Sequence, residues 1–440
     1  MPHLLVEKSS RQKWRNAAGC WAEGAHEYQK RHLDQSISAA LESAPAVVIA
    51  GPRACGKTES ASQFSASQIY LDSADKRAVL AREQPATALH GETPRLLDEW
   101  QVVPEVWNEV RHEVDRRRQA GQFLLTGSAT PDEHPMRHSG AGRFRRLRMR
   151  TMTLQETGDS TGEVSLAALL RGESPAIAEP ERDFSELIAR VVRGGWPGAL
   201  NMSHEAAVEM NHSYLDDTCE HDFPSIAGPR RDPRRIRAFL EAIAGLSAQP
   251  ATFSAIGRRM KDAAALPIGE TAPSVLHDFA ERMFLTEDQP AWAPKLRSRT
   301  AALQTPKRHL CDPSLAAALL GANADRLLAE PESLGFLFEG QVVHDLRVYA
   351  QKNKARGVFH YRDSKGRDEI DAVVEAADGA WIGLEVKLGQ HAIDAAAENL
   401  LRVSAKIIRP PEALIVVVPS GLAYQRDDGV FVVPLTVLGE

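Results

Sequence analysis

At 440 residues the chain is longer than a single hydrophobic core serves, since cores stop growing near ~250–300 residues, and about two to four domains are expected. Hydrophobic residues at 43% and charged residues at 25% are ordinary for a soluble globular protein, and no apolar run reaches the roughly 18 residues of a membrane-spanning helix. A formal net charge of −6 argues against a general nucleic-acid coat though not against a local basic face, and four scattered cysteines without a C-x-x-C pair argue against a zinc site or disulfide framework. The opening Met1–Lys8 has no signal-peptide core, which predicts a cytoplasmic protein with reduced thiols.

Residues 1–27 are polar and aperiodic and read as an N-terminal extension. From Tyr28 to Glu42 the spacing of Leu33, Ile37, Ala40 and Leu41 predicts a helix. The run Ala46–Ala50 predicts a buried parallel strand, and it enters Gly51-Pro52-Arg53-Ala54-Cys55-Gly56-Lys57-Thr58, the G-x-x-x-x-G-K-T phosphate-loop pattern. Each residue type has a task. Gly51 and Gly56 let the backbone turn with its N–H groups inward toward phosphate oxygens. Lys57 supplies charge to the terminal phosphates, and Thr58 offers a hydroxyl to Mg²⁺ at the start of a helix. Cys55 beside Lys57 admits a redox reading, with a small residue tolerated in a tight loop as the simpler one.

A second strand is predicted at Gln68–Asp72. In Pro94–Gln101 an apolar strand ends in two adjacent carboxylates: Asp98 suits Mg²⁺ and Glu99 suits the attacking water. A charged helix follows over Val106–Arg118, then a strand over Gln122–Ser128 that carries Thr126 and Ser128 where a γ-phosphate sensor belongs. Strand–helix alternation predicts a parallel sheet whose ligands bind at the C-terminal strand ends. Gly142–Arg150 holds five arginines, a basic edge from which Arg143 is selected as a candidate arginine finger; the stretch also suits a nucleic-acid backbone.

This order of motifs resembles the prokaryotic AAA-type ATPases whose C-terminal half is catalogued only as a domain of unknown function. The resemblance rests on Gly51-Pro52-Arg53 with Gly56-Lys57-Thr58, Leu97-Asp98-Glu99-x-Gln101, Leu125–Ser128, Gly142-Arg143 and Leu154-Gln155-Glu156. It continues at Gly194-Gly195-Trp196-Pro197 and Pro306–Asp312. The chain departs from the usual pattern at Ala54-Cys55, Glu59 and Trp100.

Residues from Thr157 to Pro180 read as loop with a short helix at Ser165–Leu170, and helices follow at Phe184–Arg193 and Ala206–Cys219. Asp232–Pro294 has the form of a winged-helix unit, with helices at Arg234–Ala244, Thr252–Met260 and Pro273–Met283 and a strand pair around Phe284–Trp292. Its third helix is acidic, so protein packing and DNA reading both stay open. From Pro331 a separate α/β unit is expected: a helix with Phe338, Val342, Leu346 and Tyr349 on its core face, then strands at Val358–Tyr361, Glu369–Val374, Trp381–Lys387 and Leu414–Val418, with a helix near Ala392–Val403. Alternation puts Glu385 and Lys387 on one strand face. That arrangement resembles the PD-(D/E)XK nuclease core, which implies a site of Asp371, Glu385 and Lys387 with Glu339 as auxiliary carboxylate; an inactive fold carrying an ordinary ion pair is the alternative.

The expectation is therefore an α/β chain: an extension (1–27), a P-loop ATPase core with a parallel sheet (28–160), a helical lid or linker (161–231), a winged-helix-like region (232–330) and a restriction-endonuclease-like α/β domain (331–440). It binds ATP and Mg²⁺, hydrolyses ATP slowly, and couples nucleotide state to its C-terminal half, where DNA or a protein is the expected partner. The alternatives are an ATP-regulated nuclease and a nucleotide-switched binding module without turnover.

Overall fold

Strand β1 (Ala46–Ala50) sits inside a five-stranded sheet because its side chains are apolar on both faces. Val47 and Ile49 pack toward α1 (Leu33–Ser43) and α2 (Lys57–Gln63), whereas Ala46 and Val48 pack toward Trp107 and Val110 of α4, described below. The computed structural model describes residues 28–129, 140–175, 177–179, 183–223, 232–264, 267–294, 304–363 and 365–440. The expected N-terminal extension, residues 1–27, lies outside the described residues.

The first sheet has the order β2-β3-β4-β1-β5, with every pair parallel. Its other strands are β2 (Ser67–Tyr70), β3 (Arg95–Asp98), β4 (Phe123–Gly127) and β5 (Phe144–Arg148). Between them run α3 (Lys76–Glu83) and α4 (Val106–Arg117). Because β4 lies between β1 and β3, the segments leaving all three strands open on one edge of the sheet. Strand β5 is the arginine-rich stretch, whose charges hide a strand pattern from sequence reading. Its Phe144 stacks on Trp107 with ring centroids 3.9 Å apart, while the exposed Arg145 and Arg146 keep an edge strand from pairing further.

The middle of the chain is helical: α5 (Leu166–Leu170), α6 (Phe184–Arg193), α7 (His204–Asp217), α8 (Pro233–Ala244), α9 (Phe253–Ala264), α10 (Ala272–Arg282), α11 (Pro313–Leu319) and α12 (Ala324–Ala329). The two-residue β6 (Val164–Ser165) precedes them. The strand pair expected around Phe284–Trp292 does not close on itself. Thr286 and Gln289 instead bridge Leu310 and Lys307, and Lys307 and Arg308 also bridge Pro250 and Ser247. The long α13 (Pro331–Lys352) buries the four expected core residues Phe338, Val342, Leu346 and Tyr349.

A mixed sheet of order β11-β12-β10-β9-β8-β7 follows α13. Its strands are β7 (Gly357–Arg362), β8 (Glu369–Glu375), β9 (Trp381–Val386), β10 (Ala413–Val418), β11 (Tyr424–Gln425) and β12 (Phe431–Pro434), with α14 (Ile393–Ser404) between β9 and β10. Strands β9, β10 and β12 run parallel, flanked by antiparallel neighbours. The final β13 (Leu438–Gly439) pairs with β6. One apolar cluster runs without a break from Leu154 through the middle helices to Leu438.

Three arginines converge on Glu287 beneath this cluster. Arg150 donates to its carboxylate at 2.7 and 2.9 Å, Arg148 lies 3.3 Å away, and Arg347 donates to its backbone carbonyl at 2.9 Å. Burial alone would raise the Glu287 carboxyl, but Arg150, then Arg347 and Arg148, hold it well below the usual range. Glu287→Gln leaves these guanidinium groups without their anion, and the expected loss is about 3–5 kcal/mol, read as a shift of the urea midpoint at unchanged slope.

Candidate functional site

The loop between β1 and α2 is shaped by what its glycines omit. A Cβ on Gly51 would stand 2.1 Å from the Met149 carbonyl oxygen, so this backbone passes closer to the end of β5 than any other residue permits. Gly56 caps α2 at φ 97°, and Ala54 turns at φ 59°. Lys57 is buried and donates from Nζ to the Pro52 carbonyl at 2.8 Å, which folds the loop around its own lysine. Cys55 is fully buried, with Sγ 3.9 Å from the Met149 carbonyl; a reagent has no path to it, which favours the small-residue reading.

The ends of β3 and β4 meet the loop through hydroxyls. Thr58 Oγ1 donates to Asp98 Oδ1 at 2.8 Å, and Thr126 Oγ1 donates to the same oxygen. Burial pushes the Asp98 carboxyl above its ordinary range, against the pull of these two hydrogen bonds. Glu99 follows in the left-handed region at φ 52°, its N–H donating to Thr126 Oγ1 at 3.3 Å. Its Oε2 accepts from Ser128 Oγ at 3.0 Å and from Gln101, which itself donates to Ser128 at 3.2 Å. Asp98, Glu99, Thr126 and Ser128 thus come together with Lys57 and Thr58.

Arg143 does not join them. It precedes Phe144, the residue paired with Ala46 at the start of β1, and roughly 17 Å of strand separates that level from Gly51. Its guanidinium pairs with Asp115 at 2.7 Å. Two other arginines stand at the loop. Arg53 pairs with Asp222, in the turn after α7. Arg31 donates to the Cys55 carbonyl at 2.8 Å, to the Arg150 carbonyl at 2.8 Å and to Glu156 Oε1 at 3.0 Å. Gln101 is legible as part of its motif, but Arg31 is a lone arginine whose acidic partner is 125 residues away, and no local pattern marks it. Pro197 approaches the loop too, 3.4 Å from a Cβ built on Gly56. The neighbouring Gly195 accepts from the Met152 N–H at 2.7 Å and donates to Asp312 at 2.9 Å.

A second cluster forms on the mixed sheet. Lys387 Nζ lies 2.6 Å from Glu385 and 3.4 Å from Asp371, and the Val386 N–H donates to Asp371 at 2.9 Å. Glu339 reaches the same place from α13 through Lys307, which lies 3.4 Å from Asp371. Burial pushes Glu385 up to about 8, with Asp371 adding to it, and pushes Glu339 up to about 7 against the pull of Lys307. Asp371 goes the other way: Lys307 and Lys387 overcome its burial and hold it at about 2. Glu339, Asp371, Glu385 and Lys387 are therefore neighbours, as the strand pattern implies. Lys307 is the residue sequence reading omits, because its partners lie 32 and 64 positions further on.

Among known protein families, residues 43–158 match the model of an AAA domain. Residues 184–326 match a domain of unknown function (DUF8612) and residues 334–438 another (DUF4143). The P-loop residues and their strand-end partners fall in the first match, Lys307 in the second, and the four clustered residues of the mixed sheet in the third. Similar proteins include an uncharacterized protein of Mycobacterium bovis and one of Mycobacterium tuberculosis. Each is 24% identical over 363 residues, covering 82% of this chain and 74% of the relative. A Walker-type ATPase of Pyrococcus abyssi matches as a structure with a TM-score of 0.42 and 15% identity, over 67% of this chain and 97% of that one.

The close passage of Gly51 past Met149 is directly testable. Gly51→Ala forces a methyl into the Met149 carbonyl, and overpacking of this kind costs about 1–3 kcal/mol. The expected result is a lowered melting temperature together with weaker ATP binding in a calorimetric titration.

Proposed function

We propose that this chain, built of an AAA-type P-loop ATPase domain followed by two domains of unknown function, binds ATP with Mg²⁺ on the loop from Gly51 to Thr58 and hydrolyses it slowly. The observation that carries the reading is the pair of hydrogen-bonded knots at the strand ends, Thr58 and Thr126 on Asp98, Ser128 and Gln101 on Glu99. These residues suit the ligands. Thr58 and Asp98 offer adjacent hard oxygens of the kind Mg²⁺ takes, and the loop backbone, packed close against Met149 at Gly51 and turned at Gly56, suits phosphate. When bound, Mg²⁺ neutralises charge on the terminal phosphates.

The rest falls to the protein's own groups. Lys57 adds a fixed positive charge at the phosphates. Glu99, its carboxylate oriented by Ser128 and Gln101, accepts hydrogen-bonded water and polarises it toward attack. Thr126, in contact with both Asp98 and the Glu99 backbone, or Ser128, in contact with the Glu99 carboxylate, senses the γ-phosphate. With Arg143 away from the site, and Arg31 and Arg53 already paired with Glu156 and Asp222, none of these three supplies the charge that an arginine finger contributes, roughly 10³–10⁵ in rate. Slow turnover follows from that.

The meeting of Glu339, Asp371, Glu385 and Lys387 favours a second reading alongside the first. On it, residues 331–440 form a restriction-endonuclease-like domain and residues 232–330 a winged-helix-like region. Nucleotide state at the P-loop is then coupled to this half, whose partner is DNA or a protein.

Two substitutions test the ATPase. Lys57→Ala should abolish ATP binding in a calorimetric titration while the melting curve stays cooperative. Glu99→Gln should keep ATP bound but lower turnover by roughly 10²–10⁴-fold. Wild-type turnover in Glu99→Gln would move the catalytic base elsewhere.

A further inference from the structure

The Pro306–Asp312 segment delivers Lys307 into the carboxylate cluster of the mixed sheet, and it fixes the backbone before the side chain. Lys307 exchanges both backbone hydrogen bonds with Gln289, at 3.0 and 2.9 Å, and bridges Pro250 as well. The Gln289 side chain donates to the carbonyls of Phe359 and Asp371 at 2.9 and 3.0 Å. The ladder that carries the lysine is thereby bolted to β7 and β8. From it the Lys307 ammonium, 8% exposed, enters between the Glu339 and Asp371 carboxylates. Further acceptors of the cluster are engaged in turn: Asp371 Oδ2 by Lys387 and the Val386 N–H, Glu385 by Lys387 and, at 3.1 Å, by Asn399.

We propose that Lys307 is the resident cation of this cluster: its ammonium fills the position between Glu339 and Asp371 that a divalent ion would need, so the wild-type chain takes no Mg²⁺ or Mn²⁺ there. The inference rests on the restriction-endonuclease-like reading of the same residues. A divalent ion needs carboxylate oxygens at roughly 2.0–2.6 Å. An ammonium already between the two carboxylates takes both the space and the negative charge such an ion would use. A flexible lysine on a loop would be an easily displaced occupant. Lys307 is not one, because Gln289 and Pro250 hold its backbone and its ammonium lies buried between two carboxylates. Leaving would cost two buried carboxylates their cation.

The test counts bound Mn²⁺ by electron paramagnetic resonance in the nucleotide-free full chain, for wild type, Asp371→Asn, Lys307→Met and Lys307→Met/Asp371→Asn. All four keep the P-loop intact, so metal held at Thr58 and Asp98 subtracts. Wild type and Asp371→Asn should bind equal amounts, and Lys307→Met should bind an additional ion that the double variant loses. An ion bound by wild type and lost in Asp371→Asn overturns the proposal and leaves the endonuclease-like reading standing. No gain in folded Lys307→Met overturns both, since the position is then not a metal position. If Lys307→Met does not fold, Lys307→Gln, which removes the charge but keeps a polar side chain beside both carboxylates, carries the same comparison, with and without Asp371→Asn.

Discussion

The Arg31 guanidinium is the joint on which the region matched by the AAA domain depends. Its planar fork of donors meets three separate segments: the phosphate loop at Cys55, the exit of β5 at Arg150, and the turn around Glu156. Glu156 returns the grip, accepting from the N–H groups of His32 and Thr153 at 2.7 and 2.9 Å. Burial alone would raise the Glu156 carboxyl, but Arg31, with His32 and Thr153, holds it below its ordinary range. Arginine suits this place because its donors are fixed in a plane and it stays charged when buried. The loop, the edge strand and the first helix therefore take their relative positions from one side chain.

Everything else at the candidate site follows from a parallel sheet whose strands end together. Asp98, Thr126 and Gly51 leave β3, β4 and β1 at one edge, and hydroxyl groups then bind the carboxylates to one another. Arg143 belongs to the same sheet but to its opposite end, and no side-chain rearrangement spans that distance. The contrast shows how topology, rather than residue type, decides which of many arginines can serve phosphate chemistry.

Local chemistry was legible in the sequence and distant pairing was not. The phosphate loop, the Asp98–Glu99 pair and the Thr126–Ser128 segment lie within short runs whose residue types state their own purpose. Phe184–Arg193 was legible to the residue because Asp183 and Glu186 form a capping box at its start. The edge strand β5 was hidden by its arginines. The bridges from Thr286 and Gln289 could not be anticipated, since their antiparallel partners Leu310 and Lys307 lie too far along the chain for a short turn to signal the pairing. Strands β11 to β13 were missed because each is two to four residues long, too short for a period to register.

The placement of Lys307 has a consequence for how the two C-terminal regions change over time. Lys307 and Glu339 sit in stretches matched by different families, yet their charges cancel inside one buried space. Losing either alone strands the other, whereas losing both together, or exchanging them for a matched apolar pair, is close to neutral. Substitution at either position is thus constrained by the charge of the other, across the boundary between two family matches. Two segments that look like separable modules are bound to a common history, and a graft of one without the other would carry an orphaned charge into its new host.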